Sequence, residues 1–191
     1  EHNKFSKGPV LLEKLKEGKN IALVTDAGMP GISDPGEDMA RLCRQEGIPV
    51  TVAPGASAVV TALVLSGMPA RRFIFEGFLP TDKKERAEVL SRLEKETRTT
   101  VFYEAPHRLT DTLKELLKSA GNRDAACVRE ITKKYEEVKK DSLENLLAFY
   151  GENPPKGEFV VIVGGADAEK LRQEEIEGWE SISLEEHMKK Y

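Results

Sequence analysis

The sequence has little cysteine, no long apolar run and no excess of positive charge, and each shortage narrows the class of protein. The two cysteines among its 191 residues, Cys43 and Cys127, supply neither a disulfide framework nor a set of zinc ligands. Both fall in segments predicted to be buried, which favours a reducing cytoplasm. No apolar run approaches the roughly 18 residues of a membrane-spanning helix, and no signal-peptide pattern precedes the first predicted strand. We therefore expect a cytoplasmic protein that uses no membrane and no metal ion.

The formal net charge is −4, so positive charge is available for nucleic acid only locally. Phosphate neutralisation needs lysine and arginine in excess wherever RNA is bound. Short basic clusters provide such a local excess of positive charge if they line one side of a cleft. A single basic pair more often lies on a solvated surface with no binding role. The clusters are Arg71–Arg72, Lys83–Lys84 with Arg86, Lys133–Lys134 and Lys139–Lys140.

The first half of the chain repeats a unit of strand, loop and helix. Continuous apolar runs at 21–24 and 49–52 predict buried parallel strands, each leading into a turn-rich loop. The helices that follow are predicted over 35–46 and 58–65, and the second is so apolar that we expect it to be covered on several sides. Parallel strands that alternate with helices form a doubly wound sheet, whose ligands bind outside the carboxyl ends of the strands. Both loops lie there.

The second half predicts a mixed sheet flanked by helices. Strands are predicted at 73–76, 99–104, 125–129, 135–140 and 158–163, and helices at 82–95, 106–120 and 143–150. The predicted fold class is therefore α/β with two domains, a parallel doubly wound N-terminal part and a C-terminal domain with a mixed sheet. The predicted domains are 1–71 and 72–166, followed by a polar tail over 167–191 in which Ser183 to Glu186 form a capping box at a helix start.

The loop after the first predicted strand, DAGMPGISDPG at 26–36, has the composition of a ligand-binding loop. Its glycines and short polar side chains leave backbone amides open to a close-lying molecule. An ordinary connection from strand to helix takes about 2 to 6 residues, and this one is nearly twice as long. We interpret it as a ligand loop rather than a plain connection.

Six segments with distinctive composition follow one another along the chain. They are DAGMPGISDPG (26–36), APGASAVVTAL (53–63), FIFEGFLP (73–80), FYEAPHRLTDTL (102–113), VREITK (128–133) and GEFVVIVGG (157–165). In this order they resemble the ribosomal RNA small subunit methyltransferase I family, over about residues 1 to 165. The family shares the tetrapyrrole methylase fold, so the resemblance implies that fold, with S-adenosylmethionine bound between the two domains.

The resemblance also implies an activity and partners. The implied enzyme methylates the ribose 2′-hydroxyl of a cytidine in 16S ribosomal RNA, acts on the small ribosomal subunit and is a homodimer. Members of the family carry a first strand with an ATPIGNL-like loop and an AEDTR-like segment ahead of the position of Glu1, and a basic helical tail beyond Tyr191. We therefore expect this chain to lack the family's first strands and its tail.

Two loops, 26–34 and 54–58, hold the methionine and ribose portions of the cofactor according to the resemblance. The residues assigned to cofactor binding are Asp26, Ala27, Gly28, Ser33, Asp34, Pro54, Gly55, Ser57 and Ala58. Glycines permit close approach, and serine hydroxyls can bond a carboxylate or a ribose. Ser57 also stands where a helix N-cap would stand, and the two roles are compatible.

Methyl transfer to a ribose hydroxyl needs an in-line approach and the removal of a proton from a very weak acid. A base, or a cation that stabilises the forming alkoxide, therefore belongs within hydrogen-bond reach of the hydroxyl. The strand ends YEAPHR and VREITK offer both chemical types. The catalytic candidates are Glu104, Arg129, Glu130 and Lys133, and the candidates for substrate binding are His107, Arg108 and Lys134.

The candidates also have plain structural interpretations. Glu104 can pair with Arg108 at a helix start, and His107 is more often a surface residue. Arg129 and Glu130 can form a solvated pair on an edge strand, worth under about 1 kcal/mol. Two other functions stay open: a methyltransferase of the same superfamily that acts on a tetrapyrrole or other small molecule, favoured by the acidic net charge, and a cofactor-binding module without catalysis.

Overall fold

The computed structural model describes residues 4–34 and 36–180, which form an α/β protein. The helices are α1 (Lys4–Lys16), α2 (Glu37–Gln45), α3 (Ala58–Ser66), α4 (Lys83–Leu93), α5 (Leu109–Ala120), α6 (Leu143–Glu152) and α7 (Ala168–Glu180). The strands are β1 (Phe73–Phe78), β2 (Thr99–Glu104), β3 (Asp124–Arg129), β4 (Glu137–Ser142) and β5 (Phe159–Val163). None of the helices in the described ranges has the length and apolar composition needed to cross a membrane.

The five strands form one mixed sheet in the order β1-β2-β5-β3-β4. β1 and β2 are parallel, and the other neighbouring pairs are antiparallel. The mixed sheet predicted for the second half is therefore confirmed. β2 has its predicted bounds, and each of the other four strands lies within two residues of its predicted bounds.

Two apolar layers cover the two faces of this sheet. On one face Phe102 and Cys127 pack with leucines of α5 and α6. On the other face Val101 and Ala126 pack with residues of α3. Consecutive residues of a strand point to opposite faces, so neighbours such as 101 and 102 enter different layers. Both cysteines are free and buried, and burial raises the pKa of the Cys127 thiol to about 12.

Contacts along the chain define two compact units, Glu1–Ala58 and Val59–Tyr191. Helix α3 belongs with the sheet because Val59 and Leu63 are buried in its core. The domain boundary near residue 71 stays a prediction. The described residues do not provide the expected cover on several sides of α3, since Val60 and Val64 are 52% and 70% exposed. The helix lies against a single face of the sheet, which covers only one of its sides.

No strand forms at 21–24 or at 49–52, so the parallel strands predicted for the first half are a wrong prediction for the described residues. Val24 is 83% exposed and Val52 is 60% exposed. A strand exists through hydrogen bonds to a neighbouring strand, and neither segment has such a partner within the described part of the first unit. The apolar composition of the two runs favours burial, but it does not identify the neighbouring strand that a sheet requires.

The five predicted helices all form, each within three residues of its predicted bounds. Side chains at the starts explain where they begin: Asp82 accepts bonds from two backbone N–H groups of α4, both at 3.0 Å, and Ser142 accepts one from Asn145 at 3.2 Å. Gly121, with φ +77°, ends α5 and donates its N–H to the Leu117 carbonyl at 3.1 Å.

Two helices, α1 and α7, are missing from the sequence prediction. α1 contains Pro9, a residue that disfavours helix interiors. α7 begins after Asp167, whose Oδ1 accepts bonds from the N–H groups of Glu169 and Lys170 at 2.9 and 3.2 Å. That N-cap was a readable signal. The capping box predicted at 183–186 lies outside the described residues.

Candidate functional site

The two strand ends that carry the catalytic candidates meet at one edge of the sheet. Glu104, the last residue of β2, pairs with Phe159 of β5, and Phe159 pairs on its other side with Arg129, the last residue of β3. Arg129 in turn pairs with Glu137 at the start of β4. Because β2 and β3 are both antiparallel to β5, their carboxyl ends point the same way. One row of neighbouring residues therefore joins both motifs.

Glu104 is a buried carboxylate that is bonded on both oxygens. It is 2% exposed, its Oε2 accepts a 2.6 Å bond from the Thr112 hydroxyl, and its Oε1 accepts a 2.8 Å bond from the Ala105 N–H. The Arg108 Nε lies 3.5 Å from Oε1. These contacts hold the start of α5 against the end of β2. They favour the structural interpretation, a paired charge at a helix start, over proton transfer by Glu104.

A charged cluster made by Glu130, Lys133 and Glu158 forms where the chain leaves β3. The Lys133 Nζ lies 3.0 Å from Glu130 Oε1 and 3.0 Å from Glu158 Oε2. Glu130 Oε1 also accepts the Glu158 N–H at 3.1 Å, and the Glu130 N–H donates to the Glu158 carbonyl at 3.2 Å. The cluster thus ties the turn after β3 to the segment before β5.

The backbone of this turn is held in a conformation that favours glycine. Glu130 has φ +49° and Thr132 has φ +64°. Such residues cost roughly 1–3 kcal/mol each and are concentrated at functional sites. Gly157 passes so close that a Cβ there would lie 2.5 Å from the Glu130 Cγ. A side chain at position 157 would therefore displace the Glu130 side chain, and the φ of +83° at Gly157 also favours glycine.

The electrostatics of the charged cluster favour the ionised forms of Glu130 and Lys133. The Glu158 N–H and the Lys133 ammonium lower the pKa of the Glu130 carboxyl below its ordinary value. Hydrogen bonds to the carboxylates of Glu158 and Glu130 raise the pKa of Lys133. The cluster therefore presents an ammonium group at the sheet edge, and Glu130 is a weaker base than an ordinary glutamate.

Arg129 lies on an interior strand and contacts Glu137 rather than pairing with Glu130. Its Nε is 2.5 Å from Glu137 Oε2, yet the N–H does not point along this contact, so Nε has no hydrogen-bond partner among the described residues. Nη1 donates to the Lys156 carbonyl at 3.3 Å. The alternative of a solvated pair on an edge strand is wrong, because β4 lies outside β3 in the sheet.

The three predicted substrate-binding residues differ in their surroundings. His107 and Lys134 are exposed, and the Lys134 Nζ lies 5.5 Å from the centroid of the Tyr135 ring. Arg108 is half-buried and donates from Nη2 to the Leu79 carbonyl at 3.0 Å. His107 and Lys134 are thus open to a ligand, whereas Arg108 has internal partners.

The basic clusters do not form one continuous track. Arg71–Arg72 precede β1 and lie toward the other end of the sheet from the charged cluster. The Lys139 Nζ lies 3.6 Å from the centroid of the Phe149 ring, and the Lys140 Nζ donates to the Gly67 carbonyl at 3.5 Å. These two lysines therefore have partners within the protein.

In the first unit, the two loops predicted to hold the cofactor lie side by side. The Met29 N–H donates to the Ala56 carbonyl at 3.0 Å. Gly28 has φ +72°, and a Cβ there would lie 3.0 Å from the same carbonyl oxygen. A Cβ on Gly55 would lie 3.4 Å from the Met29 Cγ. The contact between the loops therefore depends on small residues.

The remaining predicted cofactor residues are small or polar and open to solvent. Those classed as exposed are Asp26, Ala27, Ser33, Asp34, Pro54 and Ala58, while Ser57 is half-buried directly before α3. The Ala27 N–H donates to the Thr25 hydroxyl at 3.1 Å, which shapes the start of the first loop. Backbone and short polar groups are thus accessible along both loops.

Sequence reasoning did not select Glu158 or Gly157, although both lie in the segment GEFVVIVGG. An acidic residue directly before the wholly buried strand β5 was the available signal. The role of Glu158 depends on its contact with Glu130, 28 residues away in the chain, and local sequence patterns do not identify such a partner.

The chain belongs to the family Tetrapyrrole (Corrin/Porphyrin) Methylases, whose sequence profile matches residues 6–147. Relatives within it bear the name Ribosomal RNA small subunit methyltransferase I. The one from Halalkalibacterium halodurans is 47% identical over 191 residues, so the chain spans about 65% of that relative's length and matches it along its own entire length. The one from Thermotoga maritima is 41% identical over 167 residues, which are 87% of this chain and 75% of the relative.

A solved structure has a similar fold. It is a uroporphyrin-III C-methyl transferase from Thermus thermophilus complexed with S-adenyl homocysteine, with a TM-score of 0.57 and 19% identity over 85% of this chain and 73% of that one. At this identity the likeness shows the fold alone. The predicted tetrapyrrole methylase fold of α/β class is confirmed.

Proposed function

We propose that this protein is an S-adenosylmethionine-dependent methyltransferase that modifies the ribose 2′-hydroxyl of a cytidine in 16S ribosomal RNA. The observation that carries the proposal is the 41% identity over 167 residues to the Thermotoga maritima protein named Ribosomal RNA small subunit methyltransferase I. The proposed partner is the small ribosomal subunit, and an enzyme with this substrate works in the cytoplasm.

The chemistry of the paired loops fits S-adenosylmethionine. Gly28 and Gly55 allow the backbone to approach a ligand, and carboxylates, hydroxyls and N–H groups along the loops match an amino acid and a ribose. The residues that would hold the cofactor are Asp26, Ala27, Gly28, Ser33, Asp34, Pro54, Gly55, Ser57 and Ala58. When bound, S-adenosylmethionine supplies a methyl group on a positively charged sulfur.

We assign the charged cluster to the ribose hydroxyl that accepts the methyl group. Lys133 holds an ammonium between two carboxylates, and we assign it to stabilising the negative charge that develops on the ribose oxygen as its proton passes to solvent water. Glu130 keeps that ammonium in place. Arg129 supports the end of β3, and Glu104 fixes the start of α5, next to the exposed His107.

A second copy of the chain is the proposed partner for the open side of α3. Val60, Val64 and Leu65 are 52%, 70% and 40% exposed on this helix. Apolar side chains that are exposed together favour burial in an interface. The proposed assembly is therefore a homodimer, and its test is the molecular mass in solution of the native chain and of a Val64→Glu variant.

Isotope transfer tests the proposed activity. The purified protein is incubated with methyl-labelled S-adenosylmethionine and one of three acceptors: unmodified small ribosomal subunits, free 16S ribosomal RNA, or a tetrapyrrole. We expect label in RNA, at a nucleotide whose 3′ linkage resists alkaline hydrolysis because its 2′-oxygen carries the methyl group. Label in the tetrapyrrole alone would instead support the small-molecule alternative. Cofactor binding without transfer to any acceptor would support the non-catalytic module.

A further inference from the structure

Three aromatic rings gather at the sheet edge that carries the charged cluster. Phe75 and Phe78 of β1 each pack edge-on against Tyr103 of β2, with centroid distances of 5.0 and 5.6 Å. We call these three residues the aromatic ledge. Phe78 is 52% exposed, whereas Phe75 and Tyr103 are half-buried. The ledge therefore exposes the Phe78 ring to solvent, and the half-buried Tyr103 ring packs against it.

A bulge in β1 creates the ledge. Phe75 pairs with Val101 and Phe78 pairs with Tyr103, so three steps along β1 match two steps along β2. Gly77, with φ +70°, lies within this irregularity. In a regular strand, residues 75 and 78 would point to opposite faces of the sheet. The bulge turns both rings to the face of Tyr103, which is how bulges beside active sites re-aim side chains.

The ledge lies at the same carboxyl edge of the sheet as the residues assigned to the reaction. Tyr103 directly precedes Glu104 in β2, and Ile131, next to the strained Glu130, packs against the same apolar layer as Tyr103. Lys133 follows two residues later. An exposed aromatic ring and a cation are therefore carried at the same carboxyl edge of the sheet.

We propose that Phe78 binds the nucleobase of the target nucleotide by stacking, an inference that rests on the proposed RNA methylation. Proteins that recognise single-stranded RNA stack unpaired bases on aromatic side chains and bind the phosphates with cations. A ribose hydroxyl must be held in line with the transferred methyl group, and a stacked base fixes the position of its own ribose. The bulge exposes Phe78 at the same carboxyl edge of the sheet as the charged cluster, with β2 and β5 between their strands, which meets this requirement.

The test compares Phe78→Ala, Phe78→Leu and Phe78→Trp in the full chain, with kcat and KM measured for small ribosomal subunits. Loss of the flat ring is expected to raise KM by about five- to a hundredfold in the alanine and leucine variants, the range that base stacking provides. Tryptophan should restore it to within about threefold of wild type. The affinity for S-adenosylhomocysteine, measured by calorimetry, should stay within about twofold in all three.

Phe73→Ala is the matched control. Phe73 is 38% exposed on the same strand, but it pairs with Thr99 at the other end of the sheet, so its removal should leave KM unchanged. The proposal is overturned if Phe78→Ala behaves like Phe73→Ala, or if leucine restores KM as well as tryptophan. It is also overturned if cofactor affinity falls instead of RNA affinity. Thermal unfolding verifies that each variant is folded.

Failure of the proposed function gives a different result. If the wild-type chain methylates no RNA, the ring is tested by direct binding, with a single-stranded oligonucleotide added to the Phe78→Trp variant and fluorescence followed. Quenching that is absent from a Phe73→Trp variant supports stacking at position 78. Equal signals in the two variants overturn it.

Discussion

The Thr112 hydroxyl of α5 donates a 2.6 Å hydrogen bond to the Glu104 carboxylate at the end of β2, and both side chains are buried. A carboxylate is tolerated in a protein interior when it is paired and hydrogen-bonded. Here Ala105 and Arg108 provide the other contacts. The position of α5 relative to the sheet edge thus depends on a polar network inside the apolar core.

Replacing Thr112 with valine should destabilise the fold. The change keeps the side-chain shape but removes a donor to a buried charge, and the expected loss is about 1.5–3 kcal/mol in the free energy of unfolding, measured with urea. Thr110→Val, two residues earlier on the same helix, is the control and should stay within about 0.5 kcal/mol of wild type. Equal stability of the two variants would contradict the network.

Replacing Gly28 with alanine should weaken cofactor binding more than it weakens folding. Gly28 has φ +72° and Gly47 has φ +70°, so alanine costs about 1–2 kcal/mol of backbone strain at either site. Only at Gly28 does the new Cβ meet a neighbour, the Ala56 oxygen at 3.0 Å. Calorimetry with S-adenosylhomocysteine should show about tenfold weaker binding for Gly28→Ala. Gly47→Ala should bind as wild type does, and comparable affinity losses in both would refute the loop assignment.

Replacing Lys133 with methionine should lower turnover rather than RNA affinity. The lost ammonium lies between two carboxylates, and its proposed role is realised as the transition state forms, so kcat should fall by about ten- to a hundredfold. Lys134→Met removes the adjacent exposed cation. That variant should raise KM and reduce the slope of binding against salt by about 1. Identical kinetic changes in the two variants would argue against separate roles.

Low pH should remove the contribution of the Glu96 carboxylate to the stability of the fold. Hydrogen bonds from Arg98 lower the pKa of this carboxyl from 4.5 to about 2, so the group stabilises the fold above pH 4.5 and the contribution is lost as pH falls toward 2. Because the Arg98 side chain is 43% exposed, solvent screening limits the effect to about 1 kcal/mol near pH 7. Glu96→Gln should show this deficit near neutral pH and converge with wild type near pH 2. Glu88→Gln, at an exposed position of α4, is the control, and its free energy of unfolding should differ from wild type by the same amount at every pH. If the stability loss of Glu96→Gln is also independent of pH, the pKa explanation is excluded.

Local patterns were sufficient where a segment's own side chains settle its structure. β2 has its predicted bounds because five of its six residues are buried and the apolar run ends in a charged turn. Leu109, Leu113 and Leu116 of α5 are buried because spacings of three and four place them on one face of the helix. The same reasoning failed at 21–24, where an apolar run has no strand beside it.

The sequence predicted the residue types of the candidate site and their positions at strand ends, but not their contacts. The strand ends YEAPHR and VREITK lie at the same edge of the sheet, because β2 and β3 run in the same direction on either side of β5. Their internal bonding was not predictable, because Glu104 turns inward to Thr112 while Glu130 joins Lys133 and Glu158. The direction of each side chain follows from the face of the strand it occupies and from what packs there.

By itself, the sequence determined the five strands and the helices α4, α5 and α6 of the second half, the small-residue loops of the first, and membership of a methylase family. Periodicity, turn residues and ordered motifs are local properties that need no partner. Only the tertiary structure decided that Glu104 is a buried anchor, that Glu130 and Glu158 hold Lys133, and that a bulge exposes Phe78. Each of these depends on residues that are distant in sequence and that the sheet brings together. The free energy of such contacts therefore cannot be predicted from the residues of any single segment.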